Sequence, residues 1–217
     1  MFAVNEVTGQ ISVVGGLNFE KAASHQIKVR ATDSAGQSVE QVFTINVVDQ
    51  TSFSKRGKSK NDKLNGTALD DVLKGGSGKG KDTIKGLDGD DKLWGEGGND
   101  ALYGGAGFDT FVFNKKASKA KNYDTIKDFN VAEDKIWLEN KIFKKLGKLG
   151  SEGAPAMLNK DFFVVGTKAK DKNDHLIYNK TKGVLYYDKD SSGKAKAVEI
   201  TKINKKLALN FDDFFVI

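Results

Sequence analysis

Six aspartates recur in one register, Asp62, Asp71, Asp82, Asp91, Asp100 and Asp109, and each is followed two residues later by an apolar side chain, Leu64, Leu73, Ile84, Leu93, Leu102 or Phe111. Acids at fixed spacing with no cation built into the pattern suit one chemistry above others, the holding of a hard metal ion through oxygen. Laid out from Gly57, Gly66, Ser77, Gly86, Gly95 and Gly104, the units read GKSKNDKLN, GTALDDVLK, SGKGKDTIK, GLDGDDKLW, GEGGNDALY and GGAGFDTFV. The fourth position is Gly80, Gly89, Gly98 and Gly107 in the last four units and Lys60 and Leu69 in the first two, and Gly75-Gly76 interrupts the nine-residue period.

A nine-residue unit with one inward apolar position fits a turn followed by a short strand, so that two units complete one coil and the apolar side chains share an interior. The glycines permit positive φ in the turn. Like-placed units then stack at about 4.8 Å, which sets Asp82 against Asp100 and Asp91 against Asp109. Two carboxylates about 5 Å apart repel by about 1 kcal/mol in water and about 3 kcal/mol at an effective dielectric of roughly 20. A cation taking roughly six to eight oxygens converts that repulsion into coordination, with turn carbonyls such as those of Gly80, Gly89, Gly98 and Gly107 completing the set, and calcium meets this better than octahedral magnesium. The expected sites lie between Asp82 and Asp100 and between Asp91 and Asp109. Asp62 and Asp71 are expected to contribute less, because of Lys60 and Leu69 and because the Gly75-Gly76 insertion offsets Asp71 from Asp91.

The pattern G-G-x-G-x-D-x-U-x resembles the repeats-in-toxin, or hemolysin-type, calcium-binding repeat over residues 57–112. That resemblance implies a parallel β-roll, a calcium-binding solenoid. The following segment, NYDTIKDFNVAEDKIWLEN, is similar to the one that covers the open end of the roll in serralysin-type metalloproteases. The likeness implies a β-rich C-terminal cap over 113–217 and either a further calcium site at Asp124, Asp128 and Asp134 or capped surface turns on a structural lid. Asp188, Asp190, Ser192, Gly193 and Glu199 stand at EF-hand loop spacing but between strand-like runs, which leaves a weak calcium-binding hairpin turn or a plain turn. The acid and bulky apolars of Asp213, Phe214, Phe215, Val216 and Ile217 resemble the uncleaved signal of type I secretion substrates. The same residues also read as a last edge strand, and both readings hold if the signal is recognised before folding.

Residues 1–50 alternate in strand fashion, with Ile27, Val29 and Ala31 on one face, Phe43, Ile45 and Val47 on another, and a turn at Asp33-Ser34-Ala35-Gly36. FAVNEVTGQISV, LNFE, VRATDSAGQS and FTINVVD resemble the second half of a cadherin-like repeat. By that resemblance this is an antiparallel β-sandwich fragment, Glu20, Asp33 and Asp49 match calcium-holding acids, and the cell surface or other cadherin-like domains are partners. Residues 51–56 read as a linker.

Composition supports this division. In 217 residues only 38% are hydrophobic and none is cysteine, so small modules stapled by metal are expected rather than one large core or a disulfide framework. The formal charge of +6 is almost all lysine, with Arg30 and Arg56 the only arginines, and no aromatic interleaving points to nucleic acid. Lysines concentrate at 115–121 and 168–172, where a grip on an acidic polymer competes with plain solvation. His25 and His175 form no H-E-x-x-H pair, so no catalytic residue is expected. No stretch reaches the roughly eighteen apolar residues of a membrane span, and the N-terminus lacks the pattern of a cleavable signal. The expectation is an all-β, non-enzymatic, calcium-binding module that folds outside the cell after type I export through an ABC transporter complex. It would form the C-terminal part of a secreted or cell-surface protein, a cadherin-like adhesin, or alternatively of a secreted metalloprotease or lipase whose catalytic domain lies elsewhere.

Overall fold

The computed structural model describes residues 2–5, 8–13, 24–46, 53–147, 150–191 and 195–217. The chain divides into two units, residues 1–50 and 51–217. In the first, β1 (Phe2–Val4) pairs antiparallel with β2 (Ile11–Val13), and β3 (Ser24–Thr32) pairs antiparallel with β4 (Ser38–Asn46) from Ser24↔Asn46 to Thr32↔Ser38. Asp33 closes this long hairpin, its Oδ1 accepting from the amides of Ala35 and Gln37 at 2.9 Å each. The Asp33 carboxylate therefore caps its own turn. Glu20, Val47 and Asp49 lie outside the described residues.

The second unit is a parallel β-roll whose chain alternates between two sheets through β5 (Phe53–Arg56), β6 (Lys63–Asn65), β7 (Asp71–Lys74), β8 (Thr83–Asp88), β9 (Lys92–Trp94), β10 (Ala101–Ala106), β11 (Thr110–Phe113), β12 (Asp124–Ile126) and β13 (Lys135–Leu138). Register carries the apolar positions inward: Leu64, Ile84, Leu102 and Ile126 stack in one sheet, and Leu73, Leu93, Phe111 and Ile136 in the other. All eight are buried, each worth about 1.5–3 kcal/mol relative to exposure.

Three boundaries differ from the sequence reading. Phe53–Arg56, expected as linker, is a strand in parallel register with Asp71–Lys74. Its polar run gives no alternation, and an outermost strand needs only backbone pairing, with charged side chains guarding its edge. The roll also continues past residue 112. Asp124-x-Ile126 and Asp134-x-Ile136 repeat the Asp-x-apolar step after longer excursions, so β12 and β13 are further rungs of the same two sheets. Finally, the turn glycine of the third unit is Gly75 rather than Ser77. A Cβ on Gly75 would meet Asp82 Oδ2 at 2.6 Å and the Gly95 carbonyl oxygen at 2.5 Å, as Gly57, Gly66, Gly86 and Gly95 meet their own aspartate and the next coil. The two extra residues are absorbed in the turn. Asp71 therefore remains aligned with Asp91, and the expected offset does not occur.

The remaining strands are β14 (Ala156–Met157), β15 (Phe163–Val165), β16 (Leu176–Asn179), β17 (Val184–Tyr187), β18 (Val198–Lys202) and β19 (Phe214–Val216). They complete an eight-stranded sheet, β15-β16-β17-β18-β12-β10-β8-β6, and a seven-stranded sheet, β14-β19-β13-β11-β9-β7-β5. β16 and β17 form the expected hairpin. β19 is not an edge strand: it lies between β13, parallel, and β14, antiparallel, and it places Phe214 on Ile136 in the core. Asn210 and Asp213 form a capping box on the short turn before it. Among the described residues no helix is long and apolar enough to cross a membrane.

Candidate metal centre

The six repeat aspartates do not merely stack; they join two hydrogen-bonded ladders. In one, the amide of Asp62 donates to Asp82 Oδ1 (2.8 Å), that of Asp82 to Asp100 Oδ1 (2.8 Å) and that of Asp100 to Asp124 Oδ1 (3.0 Å). In the other, Asp71 donates to Asp91 (2.8 Å), Asp91 to Asp109 (3.0 Å) and Asp109 to Asp134 (3.1 Å). Each carboxylate after the first of its ladder, Asp82, Asp100 and Asp124 in one and Asp91, Asp109 and Asp134 in the other, so uses one oxygen to tie its coil to the one before. Asp124 and Asp134 occupy the same register as the repeat acids, whereas Asp128 stands aside and accepts from the Gly104 amide at 3.0 Å.

The second oxygen separates the turns into two kinds. Asp62 Oδ2 accepts from the Lys58 amide at 2.7 Å, Asp71 Oδ2 from that of Thr67 at 2.5 Å and Asp134 Oδ2 from that of Asn130 at 2.8 Å, so these turns close on themselves. Asp91, Asp100 and Asp109 have a buried Oδ2 with no hydrogen-bond partner among the described residues. In those three units the second residue has positive φ, at Leu87 (95°), Glu96 (65°) and Gly105. That backbone conformation goes with a turn whose second amide is not given to the acid. A leucine and a glutamate in the left-handed region are strained.

An unpartnered buried carboxylate oxygen is costly. Burial pushes Asp91 up to about 8, Asp109 to about 7 and Asp100 to about 6; the backbone amide each accepts lowers these values, and the carboxylates of adjoining coils raise them. Asp134 is pushed up to about 6, again chiefly by burial. Burial and then the charge of Asp100 raise Asp124, and burial raises Asp82, with Asp62 adding to it. No lysine or arginine among the described residues pairs with a ladder acid. Cations do neutralise buried acids elsewhere: Glu96 lies 2.9 Å from Lys115 and 3.5 Å from Arg56, and Asp213 lies 3.3 Å from Lys135.

The donor set fits a calcium ion on three counts: leftover carboxylate oxygens, crowded turns, and oxygen as the only ligand atom. A Cβ on Gly95 would stand 2.6 Å from Asp124 Oδ2 and 2.9 Å from Asp100 Oδ2, so two ladder acids converge there, and a Cβ on Gly86 would collide with Asp91 Oδ2 and with the Gly104 carbonyl at 2.5 Å. Among the described residues no three acidic or histidine side chains converge on one point. A full shell would therefore draw on backbone carbonyls as well.

The fourth-position glycines answer a different constraint. A Cβ on Gly80 would strike the Lys60 carbonyl and one on Gly98 the Gly80 carbonyl, while Gly89 abuts Leu69 and Gly107 abuts Gly89. Each approaches the coil before it. Lys60 and Leu69 open these two stacks, which is why a side chain is tolerated at just those two positions.

The residues before the ladder acids form an outer ladder that the sequence reading missed. Asn61, Asp70, Asp90 and Asn99 accept from the amides of Lys81, Asp90, Phe108 and Tyr123 at 2.7–3.0 Å, linking each coil to the next in the opposite sense. The signal was present as Asn-Asp or Asp-Asp in four of the six units.

The loop after β17 is stabilised by its own acids. The Asp190 amide donates to Asp188 Oδ1 at 3.3 Å and the Ala195 amide to Asp190 Oδ2 at 3.0 Å. Ser192 and Gly193 lie outside the described residues, and Glu199, in β18, pairs with Lys119 at 3.1 Å.

The profile of the RTX calcium-binding nonapeptide repeat, in four copies, matches residues 56–79 and 78–111. The chain is also similar to two solved structures from the Azotobacter vinelandii mannuronan C5-epimerase. For the AlgE6R3 subunit the identity is 23% and the TM-score 0.44, with 78% of this chain and 85% of that chain covered. For the AlgE6R2 subunit the values are 26%, 0.43, 76% and 90%.

Proposed function

We propose that this chain, which carries RTX calcium-binding repeats, is a calcium-gated folding and export module of a secreted or cell-surface protein, a cadherin-like adhesin, with no catalysis of its own. The observation that carries this reading is the unpartnered, buried Oδ2 of Asp91, Asp100 and Asp109. Calcium, when bound, supplies the charge these oxygens lack. Asp82 with Asp100, Asp91 with Asp109, and Asp100 with Asp124 hold the ions, helped by carbonyls of the glycine turns at Gly80, Gly89, Gly98 and Gly107. Asp62, Asp71 and Asp134, whose second oxygens are already satisfied, act mainly as ladder rungs. At low cytosolic calcium the charged ladders keep the chain unfolded and transportable, and binding outside the cell becomes folding energy.

Export is assigned to Asp213–Ile217, read by a type I ABC transporter complex before folding. Support comes from the fate of these residues: Phe214 and Val216 are core side chains of β19, inaccessible once the roll has formed. Circular dichroism of the full chain tests the proposal. A coil spectrum in chelator that becomes β-rich on adding calcium is expected; a chain equally β-rich in chelator at neutral pH overturns it.

A further inference from the structure

On the C-terminal cap, away from the ladders, a cleft of about 960 Å³ is bounded by residues 167–170 after β15, by the β16–β17 turn, and by residues 188, 191 and 195–197 after β17. Four lysines line it, Lys168, Lys170, Lys182 and Lys196, all exposed and none in an ion pair with a described acid. The acids of the same loops are turned to other work. Asp174 accepts from the amides of Lys170 (2.7 Å) and Asp171 (3.1 Å), Asp171 from that of Asn173 (2.8 Å), Asp188 from that of Asp190, and Asp190 from that of Ala195. Acids buttress the loops from within while the ammonium groups stand around the opening. Among these acids only Asp188, itself buried, lines the cleft, against four exposed lysines, and a concave surface with such an excess of one sign of charge concentrates the opposite sign.

The lining between the lysines is not uniformly polar. Ala169, Tyr186 and Ala197 belong to a small apolar cluster with Val164 and Ile177, and Thr167 and Thr181 add hydroxyls. We infer that this cleft binds a linear acidic polysaccharide, whose anionic groups meet the lysines while the apolar faces of its rings rest on Ala169, Tyr186 and Ala197. Nucleic acid fits less well, because one tyrosine gives no run of stacking platforms for bases and no arginine offers a bidentate fork to phosphate. The ammonium groups, as point charges, accept carboxylate or sulfate alike.

The test titrates the full chain, at buffered free calcium, with an oligogalacturonate, a sulfated heparin-type oligosaccharide, neutral dextran and a thymidine oligonucleotide of matched length. Lys168, Lys170, Lys182 and Lys196 are changed together to Gln, and a second variant carries the same change at four exposed lysines outside the cleft, Lys79, Lys116, Lys144 and Lys205. Binding of one or both acidic saccharides, weakened roughly tenfold or more in the cleft variant but little in the control, is expected, with strong weakening by salt; which saccharide binds tells carboxylate from sulfate. Equal losses in the two variants, dextran binding as well as the acidic chains, or preference for the oligonucleotide would overturn the inference. An unaltered calcium-induced circular dichroism change in the cleft variant certifies that it folds.

Discussion

The roll and the loops of the C-terminal cap use the same residue, aspartate, to opposite ends. In the cap Asp171, Asp174, Asp188 and Asp190 accept amides of their own loops, and their duty ends within a few residues of sequence. In the roll each ladder acid after Asp62 and Asp71 gives one oxygen to an amide of the preceding coil, and in the middle turns the other oxygen is left buried and unpaired among the described residues. What sets the middle turns apart is the backbone conformation, positive φ at Leu87, Glu96 and Gly105, that goes with an acid given no amide by its own turn.

The comparison breaks most visibly if the middle turns lose their acids. Changing Asp91, Asp100 and Asp109 together to Ala is expected to abolish calcium-dependent folding, so that melting curves with and without calcium coincide; retention of the calcium shift would show that these oxygens are not the ligands. Next in size is Gly86→Ala, whose Cβ collides with Asp91 and the Gly104 carbonyl. A cost of about 3 kcal/mol is expected in calcium by denaturant unfolding, against about 0.5 kcal/mol or less for Lys60→Ala at the open end of its stack. Similar costs at the two positions would contradict the packing described.

Acid should partly replace the metal. The folded values near 8, 7 and 6 for Asp91, Asp109 and Asp100 lie above the unfolded value of 3.8, so the folded chain binds more protons and loses stability as pH rises from about 4 to about 8. In chelator the β signal is therefore expected to grow as pH falls from 8 towards 5, and a flat profile would refute the ladder electrostatics. The smallest effect belongs to the cap: Asp190→Ala removes the cap on Ala195 and should cost about 1 kcal/mol in a thermal melt while leaving the calcium stoichiometry unchanged. A lost calcium ion would return that loop to the list of binding sites.

What was readable in the sequence follows from periodicity. Leu64 through Phe111 announce the core because one inward position per unit is a strict geometric demand, and all of them are buried. The phase at Gly75-Gly76 was misjudged because spacing alone cannot say whether an insertion shifts the strands or swells a turn; only the contact of Gly75 with Asp82 and Gly95 decides it. Phe53–Arg56 carried no strand signature, since its partner supplies the order. The distinction between closed and open turns was illegible because positive φ at Leu87 and Glu96 runs against their intrinsic preference and is imposed by the stack. The lysine cleft assembles three segments distant in sequence, and of its cations only Lys168 and Lys170 fell within a run that stood out.

The polarity of the fourth-position contacts also bears on self-assembly. A solenoid built wholly of one unit exposes at its start a face shaped to receive another solenoid's end, a route to open-ended filaments. Lys60 and Leu69 carry side chains where Gly80, Gly89, Gly98 and Gly107 are bare against the rung before them, so the first coil is poorly shaped to receive a further rung from a second molecule.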